Sequence, residues 1–181
     1  MKLLNYIKGK FEEPESAEWM DNLSPSTGNV IGSVPLSGES DVKLAIAAAR
    51  EALPEWSGMD PSGRAEWLDR IADCLEEKFE EIAYLESLDT GKPISLARSV
   101  DATRSVSNFR FFSKMIRDME DEIYEMEDAT NIVKLRAVGV GALITPWNLP
   151  LYRLSWKVEP AIGMGNTVVC KPIYLTPLTP E

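Results

Sequence analysis

Residues 139–171 read GVGALITPWNLPLYRLSWKVEPAIGMGNTVVCK, and this stretch decides the fold class. Residues 139–145 are nearly all apolar, which is typical of a strand buried in a parallel sheet. Apolar residues then recur at helical spacing from Leu151 to Ile162, and glycines end that helix. Residues 167–171 form a second apolar run that predicts another buried strand. Strand, helix and strand with short connections predict a right-handed βαβ unit.

The predicted βαβ unit lies at the end of the sequence, within residues 139–181. A parallel sheet that is covered on both faces needs more than two strands and one helix. We therefore expect an α/β fold that contains an incomplete doubly wound, Rossmann-like domain, truncated after its first βαβ unit.

Short strands and a helix are expected at the start of the chain. Residues 5–11 and 30–35 each favour a short strand, and together they predict a hairpin or the edge of a small sheet. Ser40 is expected to cap a helix that begins at Asp41, and Pro54 is expected to stop it.

Two longer helices should follow. Asp60 and Pro61 predict a helix start, and the apolar stripe of that helix continues to about residue 85. A third helix is expected from about residue 93 to residue 119. The acidic stretch 118–128 carries seven Asp and Glu residues, and we interpret it as a solvated helix end and loop. Residues 132–138 alternate in a way that predicts a half-exposed strand.

Composition excludes several classes of function. The chain has 181 residues, 19 Lys and Arg, 29 Asp and Glu, and a net charge of −10. Residues 129–181 carry +3 and residues 1–128 carry −13. Nucleic acids and anionic membranes bind basic surfaces, so neither is expected as a partner. Histidine is absent from the sequence, which excludes Ser-His-Asp and Cys-His nucleophile pairs and His-ligated zinc.

The two cysteines, Cys74 and Cys170, are too few and too far apart to predict a disulfide framework or a metal site. We expect free thiols in a cytoplasmic protein. No apolar run resembles a signal peptide or a membrane span.

The loop between the predicted strand and helix, residues 145–150, is the main candidate for chemistry. Ligands of open α/β sheets bind at the carboxyl ends of strands, where this loop lies. Two prolines restrict its shape, so the Asn148 amide is a candidate oxyanion donor. The alternative is a rigid turn in which Trp147 is buried and Asn148 caps the helix.

Lys171 ends the second strand and could donate to ribose hydroxyls or phosphate; the alternative is a solvated lysine before Pro172. The Gly139-Val140-Gly141 sequence is not a dinucleotide fingerprint, because Ile144 stands where a third glycine is required.

Taken together, several motifs resemble the aldehyde dehydrogenase superfamily, of which the chain matches only the N-terminal part. The residues that carry the resemblance are Ile144-Thr145-Pro146-Trp147-Asn148-Leu149-Pro150-Leu151, Trp156-Lys157, Pro160-Ala161, Gly165-Asn166-Thr167-Val168-Val169 and Lys171-Pro172. Upstream, Pro25-Ser26-Thr27-Gly28 and Asp89-Thr90-Gly91-Lys92-Pro93 are also similar to family sequence.

The resemblance implies a role for each of these site residues. Asn148 would stabilise the oxyanion formed when a cysteine thiolate attacks the aldehyde, and Lys171 would bind the adenosine ribose of NAD. The nucleophilic Cys and the base Glu belong to later family sequence, and neither Cys74 nor Cys170 lies in the nucleophile's context. Tyr174 replaces a family glutamate and leaves NADP open as the cofactor. The loop lining the NAD site would be Ile144, Thr145, Pro146 and Trp147.

The resemblance also implies a domain division. Residues 1–128 would form the N-terminal hairpin and the helical part of the cofactor domain. Residues 129–138 would be a strand of the oligomerisation type, and residues 139–181 the first βαβ unit of the NAD-binding domain. A homo-oligomer of the family type, or association with full-length subunits, is then expected.

Residues 97–101, 104–112 and 148–152 are similar to the 2-aminomuconic semialdehyde dehydrogenase branch of the family. There, an arginine that matches Arg104 binds the substrate carboxylate. The alternative for Arg104 is a surface arginine paired with Asp101. Arg153 follows the loop and would be a second contact for an anion.

Two functions follow from these resemblances. We expect the full-length parent to oxidise a semialdehyde to a carboxylic acid with NAD, and the 181-residue chain alone to be inactive. The alternative is a non-catalytic truncated form, which associates with full-length subunits or is a nucleotide-binding remnant.

Overall fold

The computed structural model describes residues 1–179. Within them, strands pair two by two into four small sheets around a layer of helices. The strands are β1 (Asn5–Ile7), β2 (Lys10–Glu12), β3 (Trp19–Leu23), β4 (Val30–Pro35), β5 (Glu122–Glu125), β6 (Thr130–Val133), β7 (Val140–Ile144) and β8 (Thr167–Lys171). The helices are α1 (Glu39–Gly58), α2 (Pro61–Glu77), α3 (Phe79–Thr90), α4 (Ile94–Leu96), a π-helical segment (Ala97–Ala102), α5 (Thr103–Arg117) and α6 (Pro150–Gly163).

The predicted βαβ unit is confirmed as β7, α6 and β8. Strands β7 and β8 pair in parallel, from Val140 opposite Thr167 to Ile144 opposite Lys171. Helices α1 and α6 both contact this sheet. The expectation of fully buried strands was wrong, because β7 and β8 are half-buried and Ile144 is 61% exposed. Within residues 1–179, β7 and β8 pair only with each other, which leaves much of the sheet surface exposed.

The N-terminal region contains two hairpins. The single strand predicted at residues 5–11 was wrong: β1 and β2 pair antiparallel around a turn in which Lys8 and Gly9 have positive φ. The strand at residues 30–35 is confirmed as β4, and its antiparallel partner β3 was not predicted. No helix within residues 1–179 combines the length and the apolar composition that crossing a membrane requires.

Helix α1 differs from its prediction at both ends. Its capping side chain is Asp41, not Ser40, because the Gly38 N–H donates to Asp41 Oδ2 at 2.8 Å. The helix continues through Pro54 to Gly58. A proline in the last turns removes one helix hydrogen bond. The same part of α1 is attached to α6 by Trp56, whose Nε1 donates to the Ile162 carbonyl at 2.8 Å.

The second predicted helix is two helices. Helix α2 begins as expected, with Asp60 accepting from the Gly63 N–H at 2.6 Å, but it ends at Glu77 and α3 follows after Lys78. Gly91, with φ of 74°, ends α3. The third predicted helix is confirmed in extent as a helical run, which changes from α4 through the π-helical segment into α5.

The acidic stretch is not the predicted helix end and loop. Residues Glu122–Glu125 form β5, which pairs antiparallel with β6, and all residues of both strands are exposed. The strand predicted at residues 132–138 is correspondingly shorter and shifted, since β6 ends at Val133. In the turn between β5 and β6, the Met126 N–H donates to the Ala129 carbonyl at 2.8 Å. The alternation of acidic and apolar residues in β5 is too short to predict a strand without its partner.

The core lies where α2, α5 and α6 pack together. Its fully or almost fully buried members on α2 and α5 are Ala65, Leu68, Ala72, Phe109 and Ile116, and Val158 and Ile162 of α6 pack against them. At the end of α6, a Cβ on Gly163 would overlap Ile116 Cδ1 and lie 3.4 Å from Leu68 Cδ1. The helices approach this closely only because residue 163 has no side chain.

We expect Gly163→Ala to destabilise the protein by about 1–3 kcal/mol, because the added methyl group overpacks the core. Chemical denaturation of both proteins gives the free energy of unfolding. Gly58→Ala is the matched control, since a Cβ there meets no atom within 4 Å. Equal losses in the two variants would contradict the close approach of α6 to Ile116.

Glu159 places a carboxyl group on the buried face of α6. Its exposed fraction is 0%, and neither carboxylate oxygen has a hydrogen-bond partner of good geometry in the described chain. Burial raises its pKa from the ordinary value of 4.5 to about 8, and the Ser155 hydroxyl one turn earlier offsets this only in part. The folded protein therefore holds a proton here that the unfolded chain loses at lower pH.

Stability should consequently fall as the pH rises. The stability associated with the protonated Glu159 is fully present below pH 4.5. It is lost as the pH rises to about 8, because in this interval Glu159 ionises only in the unfolded state. We expect Glu159→Gln to stabilise the protein by roughly 2–4 kcal/mol at pH 8 and to change it little near pH 5. Denaturation midpoints at both pH values check this. Glu77→Gln, at an exposed position of α2, should leave the pH dependence unchanged.

Candidate functional site

The candidate site lies where β7 and β8 end side by side. Ile144 and Lys171 are paired across the two strands, and both are exposed. The Lys157 ammonium donates to the Ile144 carbonyl, and the Thr145 N–H donates to the Lys171 carbonyl at 3.4 Å. The Thr145 side chain is buried, and its hydroxyl has no hydrogen-bond partner within the described residues. The chain thus leaves both strands at one edge of the sheet, as predicted.

Asn148 has an exposed side chain in the loop that follows β7. Its main-chain carbonyl accepts from Lys92 Nζ at 3.4 Å. Trp147 is 57% exposed, and its carbonyl accepts from Thr176 Oγ1 at 3.1 Å. The alternative, with a buried Trp147 and Asn148 as a helix cap, was wrong, because Leu149 occupies the N-cap of α6 without a side-chain hydrogen bond. Backbone hydrogen bonds thus hold the middle of the loop, while the side chains of Pro146, Trp147 and Asn148 are exposed.

The residues at this edge fit a nucleotide. The exposed side chains of Ile144, Pro146 and Trp147 offer apolar surface beside the exposed ammonium of Lys171. Such a surface suits a ligand that has a ring system and hydroxyl or phosphate groups. In the part of the chain that the structure describes, Lys171 makes no ion pair that would occupy its charge.

The two predicted substrate-binding arginines lie on different helices. Arg104 is exposed on the first turn of α5. Its alternative role as the partner of Asp101 was wrong, because Asp101 is fully buried and accepts from Lys92 Nζ at 2.7 Å. Arg153 is half-buried on the first turn of α6, and its guanidinium lies 5.9 Å from the Trp156 ring centroid. Its Nε is buried without a hydrogen-bond partner in the described chain. No described contact joins Arg104 to the loop.

Three residues beneath the loop were not predicted as part of the site. Glu86 Oε1 accepts from the Leu151 N–H at 3.0 Å, and Lys92 Nζ reaches both Glu86 Oε2 at 3.3 Å and the loop. Burial raises the pKa of Glu86, which hydrogen bonds and the Lys92 charge oppose. Thr176 is the third. The only sequence signal for Glu86 was a glutamate among the apolar residues of α3, and Lys92 was considered only as part of the motif at residues 89–93.

Residues 11–181 match the sequence profile of the aldehyde dehydrogenase family. The chain belongs to the aldehyde dehydrogenase family, which consists of oxidoreductases. It is 47% identical over 181 residues to 2-aminomuconic semialdehyde dehydrogenase of Bos taurus, a match that covers 99% of this chain and 37% of that protein. It is 41% identical to 2-hydroxymuconic semialdehyde dehydrogenase of Pseudomonas sp. strain CF600, covering 98% and 38% of the two chains.

Solved family structures have the same fold. The structure of PnpE in complex with nicotinamide adenine dinucleotide superimposes with a TM-score of 0.95 at 39% identity, and the match covers 99% of this chain and 37% of PnpE. The chain therefore spans little more than a third of the length of the relatives it matches. The resemblance of the motifs to this family, and to its muconic semialdehyde branch, is confirmed.

Proposed function

We propose that the whole protein, of which this chain is the N-terminal part, oxidises an aldehyde to a carboxylic acid with a nicotinamide cofactor. The observation that carries the proposal is the exposed Asn148 side chain, on a loop whose backbone is fixed, at the carboxyl end of β7. The Asn148 amide donates a hydrogen bond to the oxygen of the aldehyde as it gains negative charge during attack by a thiolate. The nucleophilic Cys and the base Glu are supplied by sequence that this chain lacks.

The cofactor of this proposal is NAD, with NADP as the alternative. Bound at this edge, it would supply the acceptor for the hydride of the aldehyde. Ile144, Thr145, Pro146 and Trp147 line its site, and Lys171 donates to the ribose hydroxyls. The exposed phenol of Tyr174 lies three residues after Lys171 and carries no charge, so it does not repel a ribose phosphate as a carboxylate would. Relatives solved with NAD bound support NAD as the first candidate.

The substrate of the proposal is a semialdehyde of the muconic type, which carries a carboxylate. The names of the relatives support this class. Arg104 and Arg153 bind the carboxylate, and two observations support these roles. The Arg104 guanidinium is exposed and makes no described ion pair, and the Arg153 Nε is buried without a partner among the described residues. Both cations are thus available to an anionic group.

The 181-residue chain alone is inactive under this proposal, because it lacks the nucleophile and the base. The same proposal divides the chain into domains at residues 1–128, 129–138 and 139–181. It also includes a cytoplasmic location, which the free thiols of Cys74 and Cys170 support.

A second candidate is a non-catalytic chain that associates with full-length subunits. The observation that favours it is the exposed apolar surface of the β5–β6 hairpin, where Ile123, Tyr124, Ile132 and Val133 are each about half exposed or more. Exposed apolar residues in such a group are typical of a surface that binds protein. Co-purification of the tagged chain with a full-length relative would support this function, and a monomer in the presence of that relative would contradict it.

The first test joins the chain to the matching remainder of the bovine relative, with which it is 47% identical. We expect aldehyde-dependent NADH formation by this chimera and none by the 181-residue chain. Asn148→Ala should lower kcat of the chimera by about 10²–10³, because one oxyanion donor is lost. Asn29→Ala, in an exposed turn, is the control. An Asn148→Ala chimera with unchanged kcat would refute the proposed role of the amide.

The second test addresses the substrate class in the same chimera. Arg104→Ala and Arg153→Ala should each raise KM for an aldehyde with a terminal carboxylate by roughly ten- to hundredfold, since a charge-assisted hydrogen bond is lost. The KM for a neutral aldehyde of equal length should stay the same. Arg50→Ala, at an exposed position of α1, is the control. An equal effect on both aldehydes would argue against carboxylate recognition.

A further inference from the structure

Helix α6 begins directly behind the site loop, and no side chain of its own caps it. The first N–H groups of a helix have no acceptors within the helix. Leu149 is at the N-cap and Pro150 follows, so the Leu151 N–H donates to Glu86 Oε1 instead, at 3.0 Å. Glu86 lies on α3 and is fully buried. An acidic group is thereby placed at the helix end that favours negative charge.

Lys92 connects this carboxyl group to the loop. Its ammonium lies 3.3 Å from Glu86 Oε2, 2.7 Å from Asp101 Oδ1 and 3.4 Å from the Asn148 carbonyl oxygen. An ammonium has three N–H donors, so these three acceptors use all of them. The Lys92 side chain is only 10% exposed, which leaves water little access. One cation therefore links α3, the π-helical segment and the backbone of the loop.

The segment after β8 is held by the same helix. Thr179 Oγ1 donates to Glu86 Oε1 at 2.5 Å, and the Leu178 N–H donates to Asp89 Oδ2 at 2.8 Å. Thr176 Oγ1 donates to the Trp147 carbonyl and so connects the two segments directly. Both chain segments that leave the sheet at the candidate site are thus fixed on α3.

We propose that Glu86 and Lys92 are positioning residues for the Asn148 amide. They bind the main chain at residue 148 within the loop and at residue 151 directly after it, and they leave the Asn148 side chain without a protein partner among the described residues. An oxyanion donor acts only within a narrow distance of the developing charge, so the backbone behind it must be fixed. The link to catalysis rests on the proposed function of Asn148; the anchoring of the loop does not.

The anchoring is tested on the 181-residue chain by amide hydrogen exchange. Lys92→Met alone would leave two buried carboxyl groups without their cation and could unfold the chain. The test variant is therefore Lys92→Met with Asp101→Asn, compared with Asp101→Asn alone. The two proteins differ only at residue 92, whose ammonium contacts the Asn148 carbonyl and Glu86 Oε2, so any general loss of stability from the unpaired Glu86 is read from the core amides.

We expect the Leu151 amide, which donates to Glu86 where the loop joins α6, to exchange at least about tenfold faster in the double variant than in Asp101→Asn. The exchange rates of the Leu68 and Phe109 amides, in the core of α2 and α5, should change no more than the difference in global stability between the two proteins predicts. Chemical denaturation measures that difference. Lys92→Arg, which keeps the charge and the donors, should restore part of the protection. Unchanged exchange in the loop, or an equal change in loop and core, would overturn the proposal.

The link to Asn148 is tested in the chimera described above. Lys92→Met with Asp101→Asn should lower kcat at least about tenfold relative to Asp101→Asn and leave KM nearly unchanged, and this loss should disappear in the Asn148→Ala background. A loss that persists in that background would refute action through Asn148. A chimera without aldehyde-dependent NADH formation would refute the proposed function, and the exchange experiment would still decide the anchoring.

Discussion

Both ends of α6 depend on hydrogen bonds from the preceding helices, and the geometry of the βαβ unit follows from this. At its N-terminal end, Glu86 accepts from the Leu151 N–H. At its C-terminal end, Trp56 Nε1 and Arg64 Nε donate to the carbonyls of Ile162 and Gly163, both at 2.8 Å. Unpaired groups at a buried helix end are costly. The βαβ unit is thus positioned by contacts that the helical layer provides, and not by the sheet alone.

The interface between α5 and α6 is specific in shape but polar in its centre. At Gly163 the two helices approach closely enough to exclude a side chain. One and two turns earlier, the buried Glu159 and Ser155 replace apolar residues, and Asn108 Nδ2 of α5 donates to Ser155 Oγ at 3.3 Å. Burial of polar groups costs free energy unless they are paired. The close fit at Gly163 and the Asn108–Ser155 hydrogen bond therefore add orientation to an interface whose apolar contacts include Val158 and Ile162.

Local sequence rules located the helices and the site loop but misplaced details that depend on distant residues. Periodicity and the Asp60–Pro61 start defined α2, and the carboxyl-end rule placed Asn148 at the sheet edge. Pro54 lies within α1 and does not end it, and Trp56 in the last turn donates to a residue 106 positions later, a contact that no local pattern shows. Strand β5 could not be predicted from its own four residues, because it is defined by its pairing with β6. Glu86 meets Leu151 across 65 residues, and no local pattern records such a pair.

The division of roles between backbone and side chain explains why Asn148 is exposed in a loop that is otherwise fixed. The side chain of an asparagine at the start of a helix often caps it by accepting a hydrogen bond from a backbone N–H of the first turn. Here Glu86 satisfies the helix end and Lys92 binds the Asn148 carbonyl, so the cap is supplied from α3 and the following turn. This arrangement buries an ammonium together with two carboxyl groups. Removing one partner of a buried ion pair destabilises a protein by about 3–5 kcal/mol, because the remaining charge is left unpaired. A fold that only needed a stable turn could use a capping side chain in the loop itself. With the cap supplied by Glu86, the Asn148 amide is left free for the proposed hydrogen bond to the oxygen of an aldehyde.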